Sequence, residues 1–138
     1  MLGLVVAGGV LGVAIRELLL LPFGTGQAAA DSLVLPAATM GVNVVGSFAL
    51  GIVIGRLGDR HPLTRAFVGT GVLGGFTTYS AFAVQTALLL GVVPWAGIAL
   101  AGVSVLLGLG AAALGLRLTP SSAAAAGGST SDGPGAAL

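Results

Sequence analysis

Four long apolar runs, each close to the length a helix needs to cross a lipid bilayer, constrain this chain more than any other feature. The first runs from Leu2 to Pro22, the second from Leu35 to Gly55, the third from Ala66 to Leu90 and the fourth from Pro94 to Leu118. At ~1.5 Å of rise per residue, a helix of about 20 residues covers the ~30 Å hydrocarbon core. Charged residues make up only 7% of the chain, against about 25% in a typical soluble domain. So few charges cannot clothe a water-facing surface. The runs are therefore read as the transmembrane helices of an all-α integral membrane protein, multi-pass in the cell membrane. The chain opens on apolar residues with no basic n-region, so the first run is expected to be a retained helix rather than a cleaved signal peptide.

The stretches between the runs read as connections. Phe23 to Asp31 (FGTGQAAAD) is a glycine-bearing loop, and Gly91 to Pro94 is a short turn. Arg56 to Arg65 (RLGDRHPLTR) is the most charged segment and belongs in water or at the headgroups, punctuated by Pro62. Residues 119–138 are low-complexity and are expected to be a disordered tail behind a folded domain over 1–118. No internal repeat supports a fused inverted-repeat transporter. With no cysteine there is no disulfide or thiolate metal site, and a net charge of +1 gives no case for nucleic acid.

The third run departs from good helix material. Its segment GTGVLGGFTTYS, Gly69 to Ser80, combines glycines, which cost about 1 kcal/mol each relative to alanine in a helix, with two threonines. A break at Gly74–Thr78 is expected. Non-helical backbone at membrane depth is tolerated only where protein or a wet cavity covers it, so this break is the first candidate for a functional site.

Polar residues inside the runs are few. Thr39, Asn43 and Ser47 recur at i, i+4 and i+8 and share one helical face. That stripe suits helix-to-helix bonding, with Gly46, Gly51 and Gly55 allowing close approach. It suits the lining of a pore equally well, and spacing does not separate the two. Arg16, the basic residue well inside an apolar run, either snorkels to the interface beside Glu17 or faces a vestibule that attracts anions. Tyr79 and Phe82 stand three apart just past the glycines. Their ring edges carry partial positive charge and can face a small anion, with the hydroxyls of Thr77, Thr78 and Ser80 alongside. Gly8, Gly12, Gly71 and Gly75 give small-residue spacings that are weakly informative. His61 has no second metal ligand nearby, and no paired carboxylates or Ser/His/Asp set occur in a plausible site, so an enzyme is not expected. A proton-coupled exporter needs a membrane-embedded carboxylate, and the sole candidate, Glu17, lies beside Arg16 near a helix end.

Three segments together resemble the Fluc/CrcB family of fluoride-specific ion channels: GGVLGVAIR (Gly8 to Arg16), GVNVVGSFALG (Gly41 to Gly51) and GTGVLGGFTTYSAF (Gly69 to Phe82). The resemblance covers about residues 1–118. It implies four-helix subunits paired as an antiparallel, dual-topology-type dimer with two pores, passing fluoride passively out of the cytoplasm. By motif position, Asn43 would line the fluoride path, Tyr79 and Phe82 would present ring edges to the ion, Ser80 would belong to a hydroxyl track, and Arg16 would sit at the vestibule. The stripe residues Thr39 and Ser47 join the candidate path. The resemblance also implies a structural sodium ion, not transported, held by the backbone carbonyls of Gly74 and Thr77. Two departures stand out: Tyr79 where the family usually has phenylalanine, and Gln85 where many members have glutamate.

The arginines distribute unevenly. Arg56, Arg60, Arg65 and Arg117 fall on the side that holds both termini, while the first and third loops carry no lysine or arginine. The positive-inside rule then favours one orientation. A homodimer of oppositely inserted copies stays the default expectation. The charge bias makes the alternative a non-conducting or half-active subunit of a heterodimeric fluoride channel.

Overall fold

The computed structural model describes residues 1–23, 34–57 and 61–119. Helix α1 spans Leu2–Leu20 and closes with a 3₁₀ turn at Leu21–Phe23. Helix α2 spans Val34–Leu57. The third run splits. Its first half, α3 (residues 62–76), joins a turn of α-helix at Pro62–Thr64, a π-helical stretch at Arg65–Leu73 and a last α-turn at Gly74–Phe76. Its second half, α4, spans Tyr79–Val92, and α5 spans Pro94–Arg117. Pro62 and Pro94 each stand in a first helical turn, where a missing N–H costs nothing.

Four spans, counting Pro62–Val92 as one, are long and apolar enough to cross a membrane. The pattern of burial fits that solvent. Among the described residues no large apolar side chain is buried. Glycines and the threonines Thr39, Thr78 and Thr119 are, while Val10, Leu18, Leu88, Trp95 and Leu106 point outward. In water this inside-out arrangement would have no driving force. In lipid, helices associate through small residues that let backbones meet.

The glycines choose the helix pairs. A methyl on Gly8 would strike the Phe67 carbonyl, one on Gly12 the Val72 carbonyl, and one on Gly75 the Gly9 carbonyl, so α1 lies directly on the backbone of α3. Likewise Gly51 meets the Ala112 carbonyl and Gly115 the Phe48 carbonyl, locking α2 to α5. The weakly informative spacing of Gly8, Gly12, Gly71 and Gly75 is thus one helix–helix seam.

Several boundaries differ from the sequence expectation. The glycine-rich stretch stays helical as far as Phe76, its wide π turns bonded over five residues, as from the Gly74 N–H to the Gly69 carbonyl. The extended backbone is confined to Thr77 (φ −78°, ψ 150°) and Thr78 (φ −135°, ψ 113°). The Gly91–Pro94 turn shrinks to Val93, because Gly97 allows Leu90 to pack against the start of α5. Thr119 is buried against Gly55, and its hydroxyl donates back to the Leu116 carbonyl at 2.8 Å. The rest of the expected tail, 120–138, lies outside the described residues, as do 24–33 of the first connection and 58–60 of the second.

Candidate functional site

The break is built by what its backbone groups find to bond. Thr77 ends α3 by turning both its N–H and its hydroxyl onto the Leu73 carbonyl, each at 3.0 Å. Thr78 begins α4 as its N-cap, its hydroxyl oxygen accepting the Ala81 N–H at 3.3 Å. The backbone of Thr78 itself is clasped by Asn43 on α2: the Thr78 N–H donates to Oδ1 at 2.8 Å, and Nδ2 donates to the Thr78 carbonyl at 3.1 Å. A backbone N–H can only donate and a carbonyl can only accept, so the amide orientation is fixed by its partners. Asn43 is therefore a strut that satisfies two buried groups which no helix serves. Its second Nδ2 hydrogen has no acceptor among the described residues.

Two spaces flank this strut. A cavity of about 340 Å³ is lined by Asn43, Ser47, Gly74, Thr77, Thr78, Tyr79, Phe82 and Ser104, with Met40 and Gly108 among the apolar and small residues around them. Among the described residues no formally charged side chain lines it. Tyr79 and Phe82 stand with ring centroids 6.2 Å apart and planes tilted by 49°. Tyr79 is 81% exposed, and its hydroxyl has no partner among the described residues. The second space, a cleft of about 580 Å³, is lined by Arg16, Glu17, Thr39, Thr78, Ser80 and Gln85, with Leu88 and Pro36. The stripe Thr39, Asn43, Ser47 therefore divides: Thr39 faces the cleft, Ser47 the cavity, and Asn43 braces the break between them.

Arg16 turns inward. Its guanidinium donates to the Gly75 carbonyl at 3.3 Å and to the Glu17 carboxylate at 2.8 and 3.2 Å, and its side chain is 17% exposed. A cation at the C-terminal end of α3 meets the partial negative charge of the unpaired carbonyls there. Gln85 donates from Nε2 to the Thr39 hydroxyl at 3.2 Å and so ties α4 to α2 across the cleft. One contributor escaped the sequence reading. The Ser104 hydroxyl oxygen is buried, lacks a partner among the described residues and lines the cavity. Its signal was present, since it is the lone hydroxyl in the apolar run of α5.

The donor set at the break fits a hard cation. The N–H groups that would close helical bonds onto Gly74 and Thr77 are those of Thr78 and Ala81, and these go instead to Asn43 and to the Thr78 hydroxyl. Two carbonyls lose their regular partners, and such oxygens suit a hard ion. Among the described residues no cluster of His, Cys, Asp or Glu offers an alternative. A Cβ added at Gly74 would meet nothing within 4 Å, so this face of the break is open.

Residues 3–116 match the family described as CrcB-like protein, Camphor Resistance (CrcB). The chain belongs to the CrcB family. It is 42% identical over 121 residues to the fluoride-specific ion channel FluC of Hyphomonas neptunium, covering 82% of this chain and 90% of that protein. It is 47% identical over 89 residues to the fluoride-specific ion channel FluC 2 of Leifsonia xyli, covering 60% of this chain and 57% of that one. With FluC 2 of Bacillus subtilis the identity is 46% over 85 residues, 60% of each chain. The match thus spans less than two thirds of the Leifsonia and Bacillus relatives. Family membership and the four apolar spans together make this a multi-pass membrane protein.

Proposed function

We propose that this CrcB-family chain forms a passive, fluoride-selective channel, and that it is not an enzyme. The observation that carries the reading is the cavity beside the Asn43-braced break, which offers amide, hydroxyl and ring-edge hydrogens and, among the described residues, no formal charge. Fluoride is small and strongly hydrated. A pore that selects it must replace its water with fitted donors and still release it. Neutral donors meet both demands, whereas a fixed full charge would hold the ion. The names of the three relatives support the same ion. Asn43, Ser47, Ser104 and the edges of Tyr79 and Phe82 serve one end of the path; Arg16, Thr39 and Ser80 serve the other. Flow runs down the gradient, exporting fluoride that entered as the neutral acid.

The working unit in this reading is an antiparallel dimer. Gly74 has an open face and the ring of Tyr79 is exposed beside the break in one subunit, and a second copy would cover both. Carbonyls of Gly74 and Thr77 from the two copies would then hold a structural sodium ion. A second reading, a half-active subunit paired with a related chain, is favoured by the one-sided arginines and by tyrosine rather than phenylalanine at position 79. Liposomes loaded with fluoride or chloride and holding this chain alone test the proposal. Fluoride is expected to leave at a rate chloride does not approach, and Phe82→Ile, which keeps bulk but removes the ring edge, is expected to slow fluoride at least tenfold. Equal release of both ions would refute channel selectivity. Cysteines introduced at Ala29 and in the tail report orientation, because labelling of each from both sides restores the homodimer.

A further inference from the structure

Arg56 stands in the last turn of α2 and Arg117 in the last turn of α5. These two helices run parallel, because their contacts climb together: Ser47 against Gly108, Gly51 against Ala112, and Gly55 against Thr119. The last contact lies at the helix ends. Thr119 is buried where a methyl on Gly55 would stand, and its hydroxyl donates back to the Gly115 and Leu116 carbonyls. Arg56 follows Gly55 directly and Arg117 precedes Thr119 by two residues. The Gly55–Thr119 contact therefore sets both arginines at one end of the bundle, on adjoining helices.

Both arginines are exposed, and among the described residues neither makes a hydrogen bond or an ion pair. Glu17 is the sole acidic residue described, and it is held by Arg16 near the end of α1, at the opposite end of the bundle. A helix C-terminus attracts a cation through its unpaired carbonyls, yet neither guanidinium bonds a carbonyl here, so their donors stay available. Beside them Ile54, Leu114, Leu116 and Leu118 point outward. In a bilayer these apolar residues face acyl chains, and the long arginine side chains extend to the headgroups. All five lysine-or-arginine positions of the chain are arginine. The planar arginine fork meets a phosphate with two parallel hydrogen bonds, which the point charge of lysine does not.

We infer that the paired ends of α2 and α5 hold the headgroup phosphate of an anionic phospholipid, with Arg56 and Arg117 as its donors. A net negative headgroup fits this end better than a zwitterionic one, because the cation of a zwitterion is repelled by the same two arginines. The lipid clips the two helix ends from outside, as Thr119 clips them from within. None of this depends on which ion the chain passes.

The test is thermal unfolding of the full chain in detergent while phosphatidylglycerol is added. Phosphatidylcholine is the zwitterionic arm and glycerol phosphate the free-phosphate arm. Phosphatidylglycerol is expected to raise the unfolding midpoint, and the other two to leave it unchanged. Arg56→Gln and Arg117→Gln are each expected to raise the mole fraction of phosphatidylglycerol that gives half of this rise about fivefold, and the double variant about 25-fold. The readout is the dependence on lipid, so a lower midpoint in plain detergent from losing charge at a helix end does not enter it. Arg117→Lys keeps the charge but not the fork, and is expected to fall between the parent and Arg117→Gln; it and the single variants decide the matter if the double variant does not fold. An equal rise with phosphatidylcholine overturns the inference. A rise with glycerol phosphate assigns the site to free phosphate and overturns the lipid. A parent-like half-point in the double variant, or in both single variants, puts the lipid elsewhere and overturns the site, while the channel reading stands untouched.

Discussion

Removing the Asn43 side chain separates its mechanical role from its role toward an ion. In Asn43→Ala the Thr78 N–H and carbonyl both lose their partner, and Thr78 is buried. A buried polar group left unpaired costs about 1–3 kcal/mol. The cavity beside this break can admit water, so the lower end applies to each group. Together they cost about 2 kcal/mol, which at about 1.4 kcal/mol per tenfold is roughly a 30-fold rise in local opening. Amide hydrogen exchange reads that opening directly. The Thr78 amide is expected to exchange about 30-fold faster, while amides in the middle of α5, which Asn43 does not bond, keep their rates. Fluoride efflux is expected to collapse in the same variant. If the Thr78 amide exchanges within about threefold of the parent rate, the strut argument is wrong even where efflux falls, and Asn43 then acts on the ion alone.

Two glycines give further tests. Gly12→Ala drives a methyl into the Val72 carbonyl, whereas a methyl on Gly9 meets nothing within 4 Å. Gly12→Ala is therefore expected to destabilise the protein by roughly 1–3 kcal/mol or more, as overpacking does, with Gly9→Ala near neutral in the same detergent unfolding assay. A Cβ at Gly74, as in Gly74→Val, meets nothing within 4 Å in this chain. The subunit is expected to fold while dimerisation, followed by crosslinking in membranes, weakens; unchanged assembly and transport would argue against an ion held at the break.

The features legible in the sequence are those that local chemistry dictates. Apolar length in a chain with few charges leaves lipid as the available solvent, which sets four spans. Glycines and threonines at Gly69 to Ser80 mark where a helix is weakest, and the break falls inside that segment, at Thr77 and Thr78. The 3.6-residue repeat puts Thr39, Asn43 and Ser47 on one face of α2. Three short motifs named the family that the match over residues 3–116 identifies.

What each of those faces meets is a different matter. Asn43 bonds a residue 35 positions away, and Thr39 and Ser47 open onto separate spaces although one periodicity carries all three. The spacing of Gly8 and Gly12 occurs in many helices, and only the backbone of α3 lying against α1 gives it a partner. Ser104 is a lone hydroxyl in sequence and a cavity wall in space. Helical periodicity is a property of neighbours along the chain. The pairing of one helix face with another is set by where small residues let distant backbones touch and by which unpaired groups each side chain can satisfy, and those contacts exist only once the helices have packed.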